Sequence, residues 1–335
     1  MWTLVRARAS LRAAALALAA ACAPSGAPAA DLLVSYFNAD DVRRFDASGA
    51  FVDVFASGGG LNSARGIAIG ADGNLYVVSG FTNSVLRYDG TTGAFLGAFV
   101  ATGSGALSNP IDLAFGPDGN LYVTSGGATD AVKRYDAATG AYIDDFVVAG
   151  SSLPNGIAFG PDGNLYVRVG GDVNRYDGAT GAFIDTFVPG ATPGLSVSSG
   201  ITFGGDGNLY LSSGFDDSVL RFDGTTGAFI DTFVAASSGG LFAPEGLVFG
   251  PDGALYVVSS LSDEVKRYDG TTGAFLGNFV VDNDAPLASP SDLVFVSAPV
   301  PEPATTVLVV AGAGAAWLAR RRATSARGDP SLRSG

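Results

Sequence analysis

The sequence of 335 residues contains no histidine, and its only cysteine is Cys22. The absence of histidine excludes Ser-His-Asp and Cys-His catalysis. Because the single thiol lies in an apolar N-terminal stretch, disulfides and zinc sites are excluded from the rest of the chain. The composition requires no cofactor, and any metal would be a hard cation on oxygen ligands, Ca2+ or Mg2+.

Basic residues are also scarce, with 19 Lys and Arg against 32 Asp and Glu. Between Asp31 and Pro299 there are 11 basic and 30 acidic residues, a net charge of -19. A body with this charge repels nucleic acid and anionic lipid, which argues against both as partners. It favours cations or neutral, hydroxyl-rich partners such as an extracellular polysaccharide.

The N-terminal segment, residues 1–30, has the layout of a secretory signal peptide. Three arginines precede an apolar run over residues 13–23, and the small-residue sequence Ala27-Pro28-Ala29 follows. We expect cleavage near Ala29 or Ala30. A buried helix and a lipoprotein site at Cys22 are the alternatives, although the residues before Cys22 lack the usual larger apolar side chain.

The C-terminal segment, residues 300–322, has three parts in a specific order. They are Pro301, Glu302 and Pro303, then an uncharged stretch over residues 304–319, then Arg320, Arg321 and Arg322. The uncharged stretch predicts a hydrophobic helix of about 24 Å, slightly short of a bilayer core of about 30 Å. The arginine cluster would remain cytoplasmic, so the body would face outward from the inner membrane.

This order of parts resembles the PEP-CTERM sorting domain. The resemblance implies recognition by an exosortase-type membrane protease, which would remove the tail and release or re-anchor the protein at the surface of an exopolysaccharide-producing bacterium. Residues 323–335, expected to be a short disordered tail, extend beyond the usual end of that family. A plain C-terminal membrane anchor is the alternative.

The body, residues 31–299, consists of one repeat of about 45 residues, a period that indicates a repeat architecture. The turn aspartate recurs with steps of 46, 44, 44 and 46, at Asp72, Asp118, Asp162, Asp206 and Asp252. Each unit also contains an Arg-aromatic-Asp block and offers four short strands, which is the pattern of a propeller blade. Both repeated features are interpreted as scaffold, since a ligand site would not need five copies.

The two ends of the body supply a sixth blade. Residues 32–55 match the second, third and fourth strands of a repeat, and residues 292–296 match only the first strand. We therefore predict an all-β fold, a six-bladed propeller of four-stranded antiparallel blades whose last strand joins the first three and closes the ring.

The quoted blocks resemble the NHL and streptogramin-lyase-like group of six-bladed propellers, within the TolB-like and gluconolactonase-like architecture. The resemblance spans about residues 31–299. It implies the fold rather than an activity, because propellers host binding modules, lyases and lactonases alike.

Candidate site residues lie where the repeats differ, in the innermost strands and the adjoining loops. One equivalent position reads Arg65, Ile111, Asn155, Ser199, Glu245 and Ser291, and the next reads Gly66, Asp112, Gly156, Gly200, Gly246 and Asp292. Six-fold geometry places both sets at the rim of the central channel. The surrounding loops, with Phe81, Phe215 and Leu261 as exceptions, predict an acidic and hydroxylic rim.

Two functions are consistent with these residues. Glu245, Asp112, Asp292 and Asn155 could form an oxygen cage for Ca2+ or Mg2+, and the resemblance to gluconolactonase-like propellers implies an acidic ligand at Glu245. Arg65, Ser199 and Ser291 are candidate ligand-binding residues, with Arg65 suited to an anionic group. We expect a non-catalytic binding or structural module at the cell surface or in the matrix, with a surface protein or polysaccharide as partner; a metal-dependent lactonase or lyase is the alternative.

Overall fold

A computed structural model describes residues 30–127, 130–150, 153–197, 199–281 and 288–297. These residues form six four-stranded antiparallel sheets. Blade 1 contains β1 (Ala30–Tyr36), β2 (Asp41–Phe45) and β3 (Phe51–Ser57); blade 2 contains β4 (Ala64–Ile69), β5 (Leu75–Ser79), β6 (Ser84–Tyr88) and β7 (Phe95–Val100). Blade 3 contains β8 (Leu113–Phe115), β9 (Leu121–Ser125), β10 (Asp130–Tyr135) and β11 (Tyr142–Gly150).

The second half of the ring repeats this order. Blade 4 contains β12 (Pro154–Phe159), β13 (Leu165–Val169), β14 (Asp172–Tyr176) and β15 (Phe183–Val188); blade 5 contains β16 (Ile201–Phe203), β17 (Leu209–Ser213), β18 (Ser218–Phe222) and β19 (Phe229–Val234). Blade 6 contains β20 (Pro244–Phe249), β21 (Leu255–Ser259), β22 (Glu264–Tyr268) and β23 (Phe275–Val281), and β24 (Pro290–Ser297) follows it. Single 3-10 turns cover Ser104–Ala106, Ser238–Gly240 and Ser260–Ser262.

The ring closes through blade 1, whose strand order is β24-β1-β2-β3. In this pairing Leu293 lies opposite Val34 and Phe295 lies opposite Leu32. Both the six blades and the closure by the last strand are therefore confirmed. Closure pairs the edge of β1 that would otherwise be open, which removes a template for aggregation.

The second strand of each blade is the most buried element of the fold. All five residues of β5 are buried, as are those of β9, β13, β17 and β21. Strands that are buried along their whole length are typical of sheets covered on both faces. The turn that leads into β5 is fixed by Asp72, whose carboxylate accepts hydrogen bonds from the backbone of Asn74 (3.1 Å) and the hydroxyl of Tyr76 (2.9 Å).

Adjacent blades are joined by aromatic side chains. Tyr76 of β5 packs edge-on against Phe99 of its own blade (4.8 Å between centroids) and Phe115 of the next blade (5.0 Å). Edge-to-face pairs of this kind stabilise by about 0.5–1.5 kcal/mol beyond the buried area. Equivalent pairs lie around Tyr122, Tyr166, Tyr210 and Tyr256.

The Arg-aromatic-Asp block is scaffold, as the sequence indicated. In blade 3, Arg134 donates to Asp144 of the neighbouring strand at 2.6 Å and stacks over Phe146. The aromatic residue of the same block, Tyr135, is completely buried and donates to the backbone oxygen of Ser104. The pairing is repeated in blades 1, 4 and 5.

The predicted signal peptide (residues 1–30) and C-terminal sorting segment (residues 300–322) fall outside the described residues, apart from Ala30, which is the first residue of β1. The sorting residues Pro301, Glu302, Pro303, Arg320, Arg321 and Arg322 and the tail at 323–335 belong to this part of the chain. Among the residues that the structure describes, no helix is long and apolar enough to cross a membrane.

Candidate functional site

The side chains at the mouth of the channel come from irregularities at the start of the innermost strands. In blade 4 the ladder passes from Pro154 to Gly156, which leaves Asn155 as an extra residue. The same interruption occurs at Arg65 in blade 2 and at Glu245 in blade 6. Because a bulge bends a strand and re-aims its side chains, these three residues line the channel mouth and not a blade interior.

The channel mouth contains a pocket of about 610 Å3. This volume lies within the range of about 300–1,000 Å3 that is typical of small-molecule sites. Its lining includes all six residues that the repeat alignment made equivalent, namely Arg65, Ile111, Asn155, Ser199, Glu245 and Ser291. The rest of the apolar wall comes from Phe37, Val197, Phe215, Phe242, Leu261 and Pro290.

This wall is more apolar than the sequence analysis indicated. Phe215 and Leu261 were expected at the rim, but Phe37 and Phe242 were not. The loops that carry them recur from blade to blade, but the other blades have small or polar residues at these two positions, so the repeat did not indicate an aromatic side chain there. Phe215 is 86% exposed, which leaves a large aromatic surface available to a ligand.

Four acidic or amide residues of the rim loops hold neighbouring blades together. They adopt positive φ, where Asp and Asn are favoured, and accept a hydrogen bond from a backbone amide in the next blade. The pairs are Asp40 with Ser63 (2.5 Å), Asn83 with Asn109 (2.7 Å), Asp217 with Ala243 (2.8 Å) and Asp263 with Ser289 (2.9 Å).

Arg65 is held in place on three sides. Its Nε donates to the hydroxyl of Ser63 at 3.2 Å, and its guanidinium carbon lies 5.0 Å from the ring centre of Phe37. A Cβ on Gly80 would lie 2.8 Å from the Arg65 Nε, so glycine is needed there to leave room for the side chain. Burial lowers the pKa of Arg65, and the charge of Glu245 opposes that shift.

Glu245 lies on another side of the channel and is hydrogen-bonded by its neighbour. The Ser199 hydroxyl donates to a Glu245 carboxylate oxygen at 2.7 Å, and the Ser199 backbone amide lies 3.4 Å from the same oxygen. The chain has no histidine that could serve as the activating base for a nucleophilic Ser199.

Asp112 and Asp292 lie one layer deeper, where the channel narrows to a cavity of about 40 Å3. Asp112 accepts from the amide of Ile157 in the next blade (3.0 Å), and Asp292 accepts from Ile67 in the same way (2.9 Å). Burial raises the pKa of both, Asp112 well above its ordinary value with the charge of Asp292 adding to the effect, and Asp292 to about 6.

Glycines in the preceding blades make room for these two aspartates. A Cβ on Gly66 would lie 2.6 Å from an Asp112 oxygen, and one on Gly246 would lie 2.5 Å from an Asp292 oxygen. The Gly and Asp pattern that the repeat alignment showed at this layer is thus a packing arrangement between neighbouring innermost strands. It leaves a space close to the volume of one water molecule, about 30 Å3.

The metal cage predicted from Glu245, Asp112, Asp292 and Asn155 has no direct support in the geometry. Within the described ranges, no group of three or more acidic side chains is arranged to hold a metal ion. Backbone amides occupy oxygens of both aspartates, and Ser199 occupies one of Glu245. Ca2+ or Mg2+ binding at these residues stays a prediction.

Arg168 is a functional-site neighbour that the sequence analysis missed. It is 1% exposed on β13 and donates to the backbone oxygens of Gly200 (2.9 Å), Ser212 (2.8 Å) and Ser196 (2.9 Å) in blade 5. Burial lowers the pKa of Arg168 to about 10, and the charge of Glu245 opposes the shift. A sequence signal for Arg168 was present: it is a charged residue in the second strand of blade 4, at a position where the second strands of the other blades have an apolar or hydroxyl side chain.

Comparisons with solved structures agree with the propeller fold. A protein of unknown function from Bacteroides caccae matches 81% of this chain and 99% of its own length, with 14% identity and a TM-score of 0.63. A chain of a nidogen/laminin complex matches 81% of this chain and all of its own length, with 15% identity and a TM-score of 0.63.

Virginiamycin B lyase from Staphylococcus aureus matches 80% of this chain and 88% of its own length, with 16% identity and a TM-score of 0.57. At these identities the likeness concerns the fold alone. No family model matches the sequence, and none of the curated proteins matches it significantly.

Proposed function

We propose that this chain is an exported β-propeller that binds a small ligand at its channel mouth without transforming it. The observation that carries the proposal is the 610 Å3 pocket, which combines an aromatic wall with a few polar side chains. Pockets with this composition are the usual form of a ligand site. A smaller space of about 40 Å3 lies beneath the pocket, at the layer of Asp112 and Asp292.

The polar groups in the pocket support binding better than catalysis. The chain has no histidine, and the Ser199 hydroxyl is bonded to a carboxylate with no stronger base beside it. The solved neighbours include a chain in a complex of nidogen with laminin and a lyase, so the fold is compatible with both classes. The polar groups of this pocket favour binding over catalysis.

Introduced tryptophans can test whether the pocket takes ligands, because both natural tryptophans, Trp2 and Trp317, lie outside the propeller strands. Phe215→Trp places a reporter on the pocket wall, and Phe51→Trp places one on the outer strand β3, where Phe51 is 54% exposed. With a library of small apolar organic molecules, we expect saturable fluorescence changes for the first variant only. Equal responses of the two variants, or none in either, would count against the pocket.

We further propose that the protein is exported and sorted to the cell surface or extracellular matrix by an exosortase-type protease. The support is the sequence order of the terminal segments, with the signal-like residues 1–30 and the Pro301-Glu302-Pro303 and Arg320–Arg322 elements at the other end. A surface polysaccharide or surface protein is the expected partner there.

Cell fractionation tests the proposed location of the protein. The full chain is expected in the periplasmic, outer-surface or extracellular fraction, and replacement of Arg320, Arg321 and Arg322 by serine should reduce retention and processing of the C-terminal segment. Recovery of the unprocessed full chain from the cytoplasm would contradict the proposal.

A further inference from the structure

Among the described residues of the body, Arg65 is the one basic side chain that pairs with neither a carboxylate within ion-pair distance nor a backbone oxygen. Nine of the 11 basic residues between Asp31 and Pro299 have a carboxylate within ion-pair distance. Arg168 instead donates to three backbone oxygens. In the described part of the chain, Arg65 has only the Ser63 hydroxyl and the Phe37 ring.

From this we infer that the channel-mouth pocket binds an organic acid, whose anionic head pairs with Arg65 and whose aromatic or alkyl body packs on the apolar wall. The inference rests on the proposed function and adds the chemical class of the ligand. A half-buried guanidinium has five N–H donors in a planar fork that matches a carboxylate. Ser63 occupies one of these donors, so the outer edge of the fork is available.

The protein holds Arg65 ready for such a head group before any ligand arrives. Phe37 supports one face of the guanidinium, Ser63 orients Nε, and Gly80 has no side chain that would displace it. A pre-organised cation loses little conformational entropy when it binds. Because the site lies partly out of water, the ion pair with a ligand is screened less than a surface pair would be.

The charge balance of the pocket limits the head group to a single negative charge. Glu245 lies in the same pocket, and the body as a whole carries a net charge of -19. A phosphate dianion would bring two negative charges to one cation, Arg65, in a strongly acidic surrounding, whereas a carboxylate brings only one. The wall has phenylalanines but neither Trp nor Tyr, which argues against a sugar as the body of the ligand.

Asn155 provides a second polar feature of the same pocket. Its amide oxygen is buried and has no hydrogen-bond partner. Buried polar atoms nearly always have a partner in native proteins. A hydroxyl or amine on the ligand could supply this partner once the Asn155 side chain adjusts, which makes a substituted organic acid a better ligand than a bare one.

Three matched compounds test the inference on the full chain by isothermal titration calorimetry: 4-phenylbutyrate, 4-phenylbutan-1-ol and 4-phenylbutylamine. They share the apolar body and differ in the head group. We expect the carboxylate to bind about tenfold more tightly than the alcohol, consistent with one charge-assisted hydrogen-bonded pair, and the amine, which has the same charge sign as Arg65, to bind less tightly than the carboxylate.

Variants identify the residue responsible. Arg65→Gln should reduce the affinity for 4-phenylbutyrate to that for the alcohol and leave the alcohol affinity unchanged, while Arg65→Lys should retain part of the preference. Gly80→Ala should weaken the carboxylate selectively because its Cβ would displace the guanidinium. Arg87→Gln is the control, since Arg87 lies near Asp72 away from the pocket, and it should behave as the native protein.

The outcomes separate the inference from the proposed function. If the alcohol binds as tightly as the carboxylate, or if Arg65→Gln keeps the preference, the organic-acid inference is overturned and the binding pocket stands. If none of the three compounds binds at about millimolar concentration, both are overturned. A preference that disappears in Arg65→Gln but not in Arg87→Gln supports the inference.

Discussion

At the scale of single residues, most charged side chains of the channel stabilise the fold, and one is available to a ligand. Asp112, Asp292 and Arg168 are bonded to backbone groups of the neighbouring blade. Arg65 occupies the same region but has no carboxylate partner among the described residues. Because Arg65 is half-buried and only one of its five donors is hydrogen-bonded to a described residue, it is the side chain of the pocket best placed to bind an anionic ligand.

Asp292 gives a pH dependence that can be measured. Its pKa is about 6 in the folded protein and about 3.9 in an unfolded chain, so between these values the folded state binds a proton that the unfolded state has lost. The contribution of Asp292 to the free energy of unfolding therefore decreases as pH rises from about 4 to about 6. Two pKa units correspond to a loss on the order of 2–3 kcal/mol.

Replacement by asparagine should remove this slope. Asp292→Asn keeps an acceptor for the Ile67 amide and is expected to be more stable relative to the native chain at pH 7 than at pH 4, as measured by urea unfolding. Asp72→Asn is the control of opposite sign. Burial favours a raised pKa for Asp72, but bonds from Asn74 and Tyr76 outweigh it and the net shift is downward, so this variant should lose stability chiefly above pH 4. If the free energy of unfolding changes with pH in the same way for the native and Asp292→Asn proteins, the raised pKa of Asp292 is refuted.

At the scale of elements, the turn between the third and fourth strands of each blade, Thr-Gly in five blades and Ser48-Gly49 in blade 1, is a contact between blades. Its glycine has positive φ, and a Cβ there would lie within 2.0 Å of a backbone oxygen on the fourth strand of the preceding blade. The six glycines are Gly49, Gly93, Gly140, Gly181, Gly227 and Gly273. Gly49 contacts Phe279, so this contact also links the last blade to the first.

Two alanine substitutions separate this contact from simple backbone strain. Gly93 and Gly73 both have positive φ, at 70° and 77°. A Cβ on Gly93 would lie 1.6 Å from the Phe55 oxygen, whereas nothing lies within 4 Å of one on Gly73. Gly73→Ala should lose about 1–2 kcal/mol from the left-handed conformation alone, and Gly93→Ala should lose clearly more in chemical denaturation. Equal losses would mean that the turn does not constrain the neighbouring blade.

The elements also show which features the sequence could predict. The blades, their number and the closing strand followed from repetition, because Asp72, Gly93 and their equivalents satisfy the same turns in each unit. The six channel-mouth positions followed for the same reason. Phe37 and Phe242 could not be predicted, since the equivalent loop positions of the other blades are small or polar. The inter-blade bond of Asp217 did have a sequence signal, because Asp40, Asn83 and Asp263 occupy the equivalent position and Asp and Asn favour positive φ.

At the scale of the whole molecule, ring closure and the pocket depend on each other. The pocket is lined by residues in or just before the first strands of all six blades, and Ser291 and Pro290 come from the closing strand. Rigid elements position a binding site more precisely than loops do. The regular blades therefore act as a frame, and the irregular loops above them supply the specificity.

The molecule also has a strong charge asymmetry that bears on its ligands. The acidic body would slow the approach of any anion from solution, an effect that salt reduces. An organic acid that binds at Arg65 must then gain its affinity from contacts in the pocket, above all from the apolar wall. For this reason we expect the apolar body of the ligand to matter as much as its head group.

The position of a bound ligand is the most direct test of a binding role for this propeller. Hydrogen exchange of the full chain, with and without saturating 4-phenylbutyrate, should show increased protection in the segments that contain Arg65, Asn155 and Glu245, and unchanged exchange in the outer strands β7 and β15. Protection confined to the outer strands, or no protection at saturation, would contradict the assignment of the channel mouth as the site.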